Sequence, residues 1–398
     1  MIEAERQIAT LHAREPTVRA FVCHDAERAL RQTRMATGPL AGSLIGVKDI
    51  IATADFPTRY GTTRDTGPRE DAWCVARLKQ LGAAILGKTV CTAFAYPQPG
   101  PTTNPHDPAR SPGGSSSGSA AAVAAGFVSF ALGTQTAGST IRPASYCGIT
   151  GFKPSYGLVP LDGVQPIAST LDHVGVFARS PCDAWYLTSA MVLSQPEALI
   201  ARKPARLLLL RVPPPCDYAE RLARLAEMLR RNEIEVDALD LPMPVEDFST
   251  LQKELCYWEA ARILLVPGRV QPVPELQALL APYLDQDIAE YAVIARRRHD
   301  CFSRFDALAS GYDAVVVPAA TGAAPPIADT GDAIMSRFWT ALHIPAVTVP
   351  LWRDGHGMPL GLQLLARLGE DRSLMEVAQW MMEKFALFSS GIVPSIGG

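Results

Sequence analysis

Two glycine-rich turns that carry serine, and one lysine upstream of them, are the residues of this chain whose types and spacing could do covalent chemistry. The turns lie in Ser111–Ser119 and in Gly133–Pro143, about one helix apart. Glycine lets the main chain approach a reacting carbonyl closely and adopt unusual dihedral angles, so such turns suit a nucleophile surrounded by backbone N–H groups. Lys48 is the only lysine of the mostly apolar stretch 39–49, and it is the candidate base.

Taken together, these segments resemble the amidase signature family, whose hydrolases use a Ser–Ser–Lys triad. The resemblance implies that Lys48 is the general base, Ser115 the bridging serine and Ser139 the nucleophile, with the two serines 24 positions apart. It also implies a cis peptide bond between Gly114 and Ser115. The similarity extends to four further segments of the chain, namely 146–154, 169–179, 312–318 and 344–350.

The same resemblance implies roles for residues around the triad. It assigns the oxyanion hole to four consecutive backbone N–H groups, those of Thr136, Ala137, Gly138 and Ser139. Ser116 and Gly114 would support the triad from the first turn. Arg142 either orients the second turn or pairs with a substrate carboxylate, and the sequence leaves both roles open.

Several positions differ from the commoner pattern of the family. Gln135 occupies a position where many members have aspartate, and Ala137 and Ser117 each replace a glycine. Arg142 lies one residue further from Ser139 than usual. These variants are most similar to the malonamidase-type branch, which makes a small acidic amide a candidate substrate.

Amide cleavage sets a physical requirement on the lysine. An amide is a poor electrophile with a poor leaving group, so the reaction needs an activated nucleophile, a stabilised oxyanion and a proton for the departing amine. Lys48 accepts a proton only when neutral, and its ordinary pKa of about 10.4 must fall by several units on burial. The apolar residues 44–47 and 50–51 on either side predict that burial.

Two other motifs match enzyme classes by letters alone. Residues 82–89 satisfy the phosphate-loop pattern GxxxxGK[ST], yet 83–86 reads as the strand itself, whereas a phosphate loop follows a strand and precedes a helix. Residues 114–118 satisfy GxSxG, which would make Ser116 the nucleophile of an esterase. That fold expects an apolar strand directly before the turn, where this chain has the proline-rich 105–112.

A further alternative is that the chain is an amidase subunit similar to that of glutamyl-tRNA amidotransferases, or an inactive scaffold. We expect instead a small-molecule amide as substrate. We expect neither nucleic acid nor a membrane as partner, because the net charge is −3 without basic runs and the apolar stretch 120–132 is too short to span a bilayer. Whether the chain forms a homodimer is left open.

Composition favours a cytoplasmic enzyme without a metal or cofactor. The first residues carry charge and no apolar signal segment follows them. Eight cysteines are scattered without a CxxC pair, which is typical of reduced thiols, and the seven histidines show no HExxH spacing.

The alternation of predicted strands and helices, together with the resemblance, predicts an α/β/α sandwich with a large mixed central sheet. We expect one amidase domain, 1–398, with a signature core at 1–185, a variable cap or rim at 196–311, and a C-terminal sheet and helix at 312–386. The core is expected to contain strands at 43–47, 83–86 and 128–133 and helices at 72–81 and 119–125. In the C-terminal part we expect strands at 314–317, 346–349 and 361–365 and a helix at 373–385.

Overall fold

One mixed β-sheet between two layers of helices organises the chain. The computed structural model describes residues 2–64, 67, 70–96, 98–212, 218–266 and 272–385. Within these ranges the sheet has eleven strands, and helices cover both of its faces. The predicted α/β/α sandwich is confirmed.

The elements are numbered in chain order within the described residues. The strands are β1 (Phe21–His24), β2 (Leu44–Lys48), β3 (Ala84–Thr89), β4 (Phe130–Gln135), β5 (Thr150–Lys153), β6 (His173–Ala178), β7 (Arg206–Arg211), β8 (Glu235–Asp240), β9 (Ala314–Pro318), β10 (Ala346–Arg353) and β11 (Pro359–Leu365). The helices are α1 (Ile2–Val18), α2 (Ala26–Met35), α3 (Trp73–Gln80), α4 (Ser117–Ala124), α5 (Ile141–Cys147), α6 (Pro181–Val192), α7 (Ala219–Arg231), α8 (Val245–Leu264), α9 (Pro274–Leu280), α10 (Ile288–Ala309), α11 (Ile334–Ala341) and α12 (Asp371–Phe385).

The strand order across the sheet is β1-β3-β2-β4-β6-β5-β10-β11-β9-β7-β8. Strand β2 runs parallel to both of its neighbours, β3 and β4, and β7 runs parallel to β8 and β9. The remaining pairs are antiparallel. Because β2 and β4 are adjacent and parallel, their carboxyl ends lie side by side at one edge of the sheet.

Alternation along β2 sends its side chains to different helical layers. Ile45 and Val47 pack into the core that contains α3, α6, α7 and α12. Leu44 packs into the opposite core, with α1, α2 and α4. Since successive side chains of a strand point to opposite faces, Lys48 lies on the face of Leu44, toward α4.

Observed and expected elements differ mainly at their ends. Helix α4 begins at Ser117 instead of 119, and its Gly118 lies so close to the main chain that a Cβ there would be 2.1 Å from the carbonyl oxygen of Ala20. Strand β3 continues through Gly87, Lys88 and Thr89. Six of the eight residues of the phosphate-loop pattern, 84–89, therefore lie in a strand that pairs with β2 and cannot form a loop around a phosphate.

The region expected to form a cap, 196–311, has two parts in the structure. Residues 206–240 add β7, α7 and β8 to the edge of the sheet, because β7 pairs with β9. The α-helices described in the rest of the region are α8, α9 and α10, and we use the name cap for the segment 245–309. Residues 213–217, 267–271 and 386 of the expected segments lie outside the described residues.

No helix in the described ranges combines the length and apolar character needed to cross a membrane. In the same part of the chain, no three His, Cys, Asp or Glu side chains are grouped so as to hold a metal ion.

Candidate active site

Four elements bring the predicted triad together. Lys48 ends β2, and Thr134 lies near the end of the neighbouring strand β4. Ser115 lies two residues before the first residue of α4, and Ser139 two residues before the first residue of α5. Both helices follow a glycine-rich turn, so the two serines are presented at the same sheet edge as the lysine.

The three side chains form one continuous hydrogen-bonded chain. Lys48 Nζ lies 2.7 Å from Ser115 Oγ and donates to it, and Ser115 Oγ lies 3.0 Å from Ser139 Oγ and donates to it. The ammonium nitrogen also donates to Thr134 Oγ1 at 2.8 Å. Lys48 is completely buried, and Ser139 is 8 % exposed. Of these three side chains, that of Ser139, the nucleophile candidate, is thus the most exposed to solvent.

Burial changes the protonation of the lysine. Removal from water disfavours the charged amine and lowers the pKa of Lys48 to about 8, while the nearby Cys91 and Asp172 partly oppose that shift. Within the described ranges, the only acceptors of its hydrogen bonds are the hydroxyl groups of Ser115 and Thr134. The amine is therefore held by groups that interact with both its neutral and its charged form.

Main-chain contacts fix the turn that carries Ser115. The peptide bond between Gly114 and Ser115 is cis. The carbonyl oxygen of Gly114 accepts a bond from Arg142 Nη2 at 2.6 Å, and the carbonyl oxygen of Ser115 accepts one from the N–H of Thr92 at 3.2 Å. Arg142 thus joins the second turn to the first.

Arg142 is a buried cation without a carboxylate partner among the described residues. Burial lowers the pKa of its guanidinium, and its Nε has no hydrogen-bond partner there. Of the two roles that the sequence leaves open, the structure contains the orienting contact to Gly114.

The turn 136–139 has its carbonyl groups bound and its N–H groups free. Thr136 O accepts from Gln252 Nε2 at 2.9 Å, Ala137 O from Thr340 Oγ1 at 2.7 Å, and Gly138 O from the N–H of Arg142 at 3.1 Å. Among the described residues, the N–H groups of this turn have no acceptor. The three bound carbonyls hold the turn in place, and its N–H groups, which have no acceptor, are available to a negative oxygen beside Ser139.

Gln135 explains how the chain accommodates the departure from aspartate. Its Oε1 accepts the N–H groups of Thr140 and Ile141 at the start of α5, at 2.8 and 3.0 Å. Its Nε2 donates to Thr340 Oγ1 at 2.9 Å, and that hydroxyl binds the carbonyl of Ala137. A neutral amide therefore caps α5 and also fixes the 136–139 turn from behind.

Ser116 points away from the triad. Its hydroxyl donates to Thr134 O at 3.2 Å and accepts the N–H of Thr134 at 3.4 Å. No strand lies in the segment 98–116 that precedes it, and all of those residues are described. Ser116 thus supports the end of β4, and the strand that an esterase turn requires before its nucleophile is absent from this segment.

Sequence interpretation missed three of these contributors. Thr134 binds the lysine, Thr340 the turn, and Gln252 reaches Thr136 across 116 positions of the chain. Strand alternation does not point to Thr134, because it has the parity of Phe130 and Leu132, which pack with Ile45 and Val47 on the other face from Leu44. Gln252 carries no motif, so nothing in the sequence pointed to it.

A known protein family matches the part of the chain that contains Lys48, Ser115 and Ser139. A family model described as Amidase matches residues 5–242, more than half of the chain. The chain belongs to the amidase family. Members of this family are enzymes that act on the C–N bonds of amides.

Relatives of this amidase-family chain include two proteins whose names identify them as subunits of glutamyl-tRNA(Gln) amidotransferases. The protein of Chloroflexus aurantiacus is 41% identical over 209 residues, which cover 48% of this chain and only 43% of that relative. The protein of Synechococcus sp. is 30% identical over 457 residues, covering 94% of this chain and 92% of that relative.

A solved structure described as an amidase superposes on the chain with a TM-score of 0.85 at 28% identity. The match covers 96% of this chain and 95% of the other. The expected amidase signature fold is therefore confirmed.

Proposed function

We propose that this protein is an amidohydrolase that cleaves a small-molecule carboxylic amide through a covalent acyl-enzyme on Ser139. The single observation that supports this proposal best is the buried chain of hydrogen bonds from Lys48 through Ser115 to Ser139. Water is the second substrate, and the reaction requires no metal or organic cofactor.

In the first step, Ser139 Oγ attacks the amide carbonyl and its proton passes to Ser115. Ser115 gives its own proton to neutral Lys48 at the same time. A hydroxyl both donates and accepts, so reversing the two hydrogen bonds changes neither the 3.0 Å nor the 2.7 Å contact. The carbonyl becomes an oxyanion, which the free N–H groups of the 136–139 turn stabilise.

In the second step, the C–N bond breaks and the proton held on Lys48 returns through Ser115 to the departing nitrogen. Ammonia or an amine leaves, and Ser139 carries the acyl group as an ester. Water then attacks the ester, using the same relay for its proton. The carboxylic acid leaves and the triad is restored.

We propose small carboxylic amides as substrates, with acidic amides of the malonamate type as the first class to test. A second candidate is the amidase subunit of an amidotransferase, which is favoured by the names of both relatives. The alignment with the Synechococcus protein runs over more positions than this chain has residues, 457 against 398, so the chain lacks segments of that relative. The segments missing within that alignment, together with a relay formed entirely by residues of this chain, favour independent hydrolysis.

The test is ammonia or amine release from a panel of malonamate-like acids, neutral aliphatic and aromatic amides, and glutamine. We expect turnover without a partner protein and its near-complete loss in Ser139→Ala, with loss of labelling by a fluorophosphonate probe. Ser119→Ala, which alters a buried serine of the same α4 region, is the matched control and should retain turnover within a few-fold.

Three results would contradict the proposal. Activity on glutamine only in the presence of a partner would favour the amidotransferase subunit. Loss of labelling in Ser116→Ala, with labelling retained in Ser139→Ala, would favour the esterase. A protein that neither turns over any amide nor reacts with the probe would be a scaffold.

A further inference from the structure

Asp172 is a buried carboxylate next to the candidate active site whose chemistry the triad does not use. It lies directly before β6 and is 4 % exposed. Its Oδ2 accepts the N–H groups of Ile167 and Ala168 at 2.7 and 3.0 Å. Its Oδ1 accepts a hydrogen bond from Thr136 Oγ1 at 2.5 Å. From the sequence it reads as a structural residue.

The contact with Thr136 places this carboxylate at the first residue of the oxyanion turn. Thr136 is held twice, through its hydroxyl by Asp172 and through its carbonyl by Gln252. The carbonyl of Thr136 lies in the same peptide plane as the N–H of Ala137, so fixing the side chain and the carbonyl of Thr136 orients the free N–H of Ala137. Asp172 therefore has the geometry of a residue that positions the turn.

The charge of Asp172 also acts on the base. Among the residues that the structure describes, Lys48 is bonded only to hydroxyls and no carboxylate touches its amine. Asp172 directly precedes β6, in which Val174 pairs with Thr134, the residue that binds the amine. From there its charge favours the charged form of that amine. During attack by Ser139 the amine gains a proton inside the protein, where an unpaired charge is costly. A nearby anion that does not form an ion pair with the amine lowers the free-energy cost of that buried charge.

The protonation states of the two groups are compatible with this role. Burial raises the pKa of Asp172 to about 6, with opposing hydrogen bonds from Thr136, Ile167 and Ala168. At the pH near 8 where Lys48 becomes neutral, Asp172 is therefore already ionised. The other titratable groups that act on this pair lie on neighbouring elements and are Cys91, Tyr156, Cys256 and Glu259.

We propose that Asp172 is a positioning residue of the amidase reaction: its carboxylate orients the Thr136 end of the oxyanion turn, and its negative charge stabilises the ammonium form of Lys48 that arises as Ser139 attacks. This inference rests on the proposed function. Its two parts act on different groups, orientation on Thr136 and charge on Lys48, so they can be separated by mutation.

Asp172→Asn removes the charge and keeps the shape. The amide oxygen can accept the N–H groups of Ile167 and Ala168, and the amide nitrogen can donate to Thr136 Oγ1, because a hydroxyl accepts as well as donates. We expect kcat to fall about tenfold with KM nearly unchanged. We also expect the acidic limb of the pH profile to move by about one unit to lower pH, because the amine of Lys48 loses a nearby anion.

Thr136→Val is the complementary variant, since it removes the hydrogen bond and keeps the charge. Its kcat should also fall, while the acidic limb stays where it is in the wild type. Asp371→Asn is the matched control, because Asp371 is an equally buried carboxylate that binds the N–H and hydroxyl of Ser155, away from Lys48. It should leave both kcat and the limb within experimental error.

The pH dependence of fluorophosphonate labelling of Ser139 gives a second readout that does not depend on the choice of amide. The charge role is overturned if Asp172→Asn folds and its limb stays at the wild-type pH, and the orienting role if Thr136→Val keeps full kcat. If Asp172→Asn does not fold, Asp172→Glu retains the charge and must keep the wild-type limb. Activity that persists in Ser139→Ala would instead overturn the proposed function.

Discussion

Two buried lysines at the ends of neighbouring parallel strands have opposite surroundings in this protein. Lys48 ends β2, and Lys88 is the next-to-last residue of β3. Both are completely buried, and burial lowers the pKa of each. Lys48 donates to two hydroxyls, whereas Lys88 donates to the carbonyl of Ile51 at 2.6 Å and to Thr58 Oγ1 at 2.7 Å, and lies 3.6 Å from the carboxylate of Asp49.

The difference shows that partners, and not burial, distinguish a candidate base from a structural cation. Burial lowers the pKa of Lys88, and the carboxylate of Asp49 opposes that shift because it stabilises the charged amine. A third lysine supports the point. Lys153 is equally buried, with a pKa lowered to about 7, yet its amine contacts the carbonyl of Pro154 and no nucleophile.

An irregularity in β3 separates the two lysines. The register between β2 and β3 shifts after Ile45, so that Val47 pairs with Lys88 and Lys48 pairs with Thr89. Paired residues point to the same face, and therefore Lys88 points with Val47 to the face opposite Lys48. Without that shift, both amines would enter the same core.

Lys48→Met gives the largest expected effect. The substitution keeps the length of the side chain and removes the base, so kcat/KM should fall by about 10³-fold. Thermal unfolding should occur at or above the wild-type temperature, because a buried amine is replaced by an apolar group. Substantial turnover in this variant would remove the functional distinction between the two lysines.

Lys88→Met should reduce stability and spare activity. It leaves the carboxylate of Asp49 buried without its cation, which costs about 3 kcal/mol in the free energy of unfolding. Urea unfolding measures that cost, and kcat of the folded variant should remain within a few-fold of wild type. Lys88→Met combined with Asp49→Asn should recover part of the lost stability. A stable but inactive Lys88→Met would reverse the comparison.

Thr134→Val tests whether hydroxyl partners matter for Lys48. The amine loses one of its two acceptors while the shape of the side chain is kept, and kcat should fall about tenfold. The measurement is steady-state turnover together with circular dichroism. An unchanged kcat would mean that Ser115 alone positions the amine.

The pH profile gives the finest test of the comparison. Only the neutral amine accepts a proton, so kcat/KM should rise about tenfold per pH unit below the lysine pKa of about 8 and level off above it. In Lys88→Met the same limb should stay within about half a unit, because Lys88 faces the other side of the sheet. If the acidic limb moves in Lys88→Met, the titration in the pH profile belongs to Lys88 and not to Lys48.

Apolar runs and glycine-rich turns are local signals that predict alternating strands and helices. The resemblance to the amidase signature family supplies the mixed sheet between two helical layers and the segments that carry the triad. The sequence does not predict the register shift in β3, which depends on how Gly87 packs against the main chain of Cys23 and His24. It also does not predict Gln252 or Thr340, since each contact with the turn joins residues more than a hundred positions apart. Long-range contacts of this kind depend on tertiary packing alone.

The bond from Gln252 to Thr136 has a consequence for protein engineering. Helix α8, which carries Gln252, belongs to the cap, whereas Thr136 belongs to the sheet edge that carries the triad. A chimera that imports the 245–309 segment of a relative to change selectivity would also replace the donor that fixes the turn. Such grafts should keep an amide side chain at position 252, or catalytic rate will be lost together with the old preference.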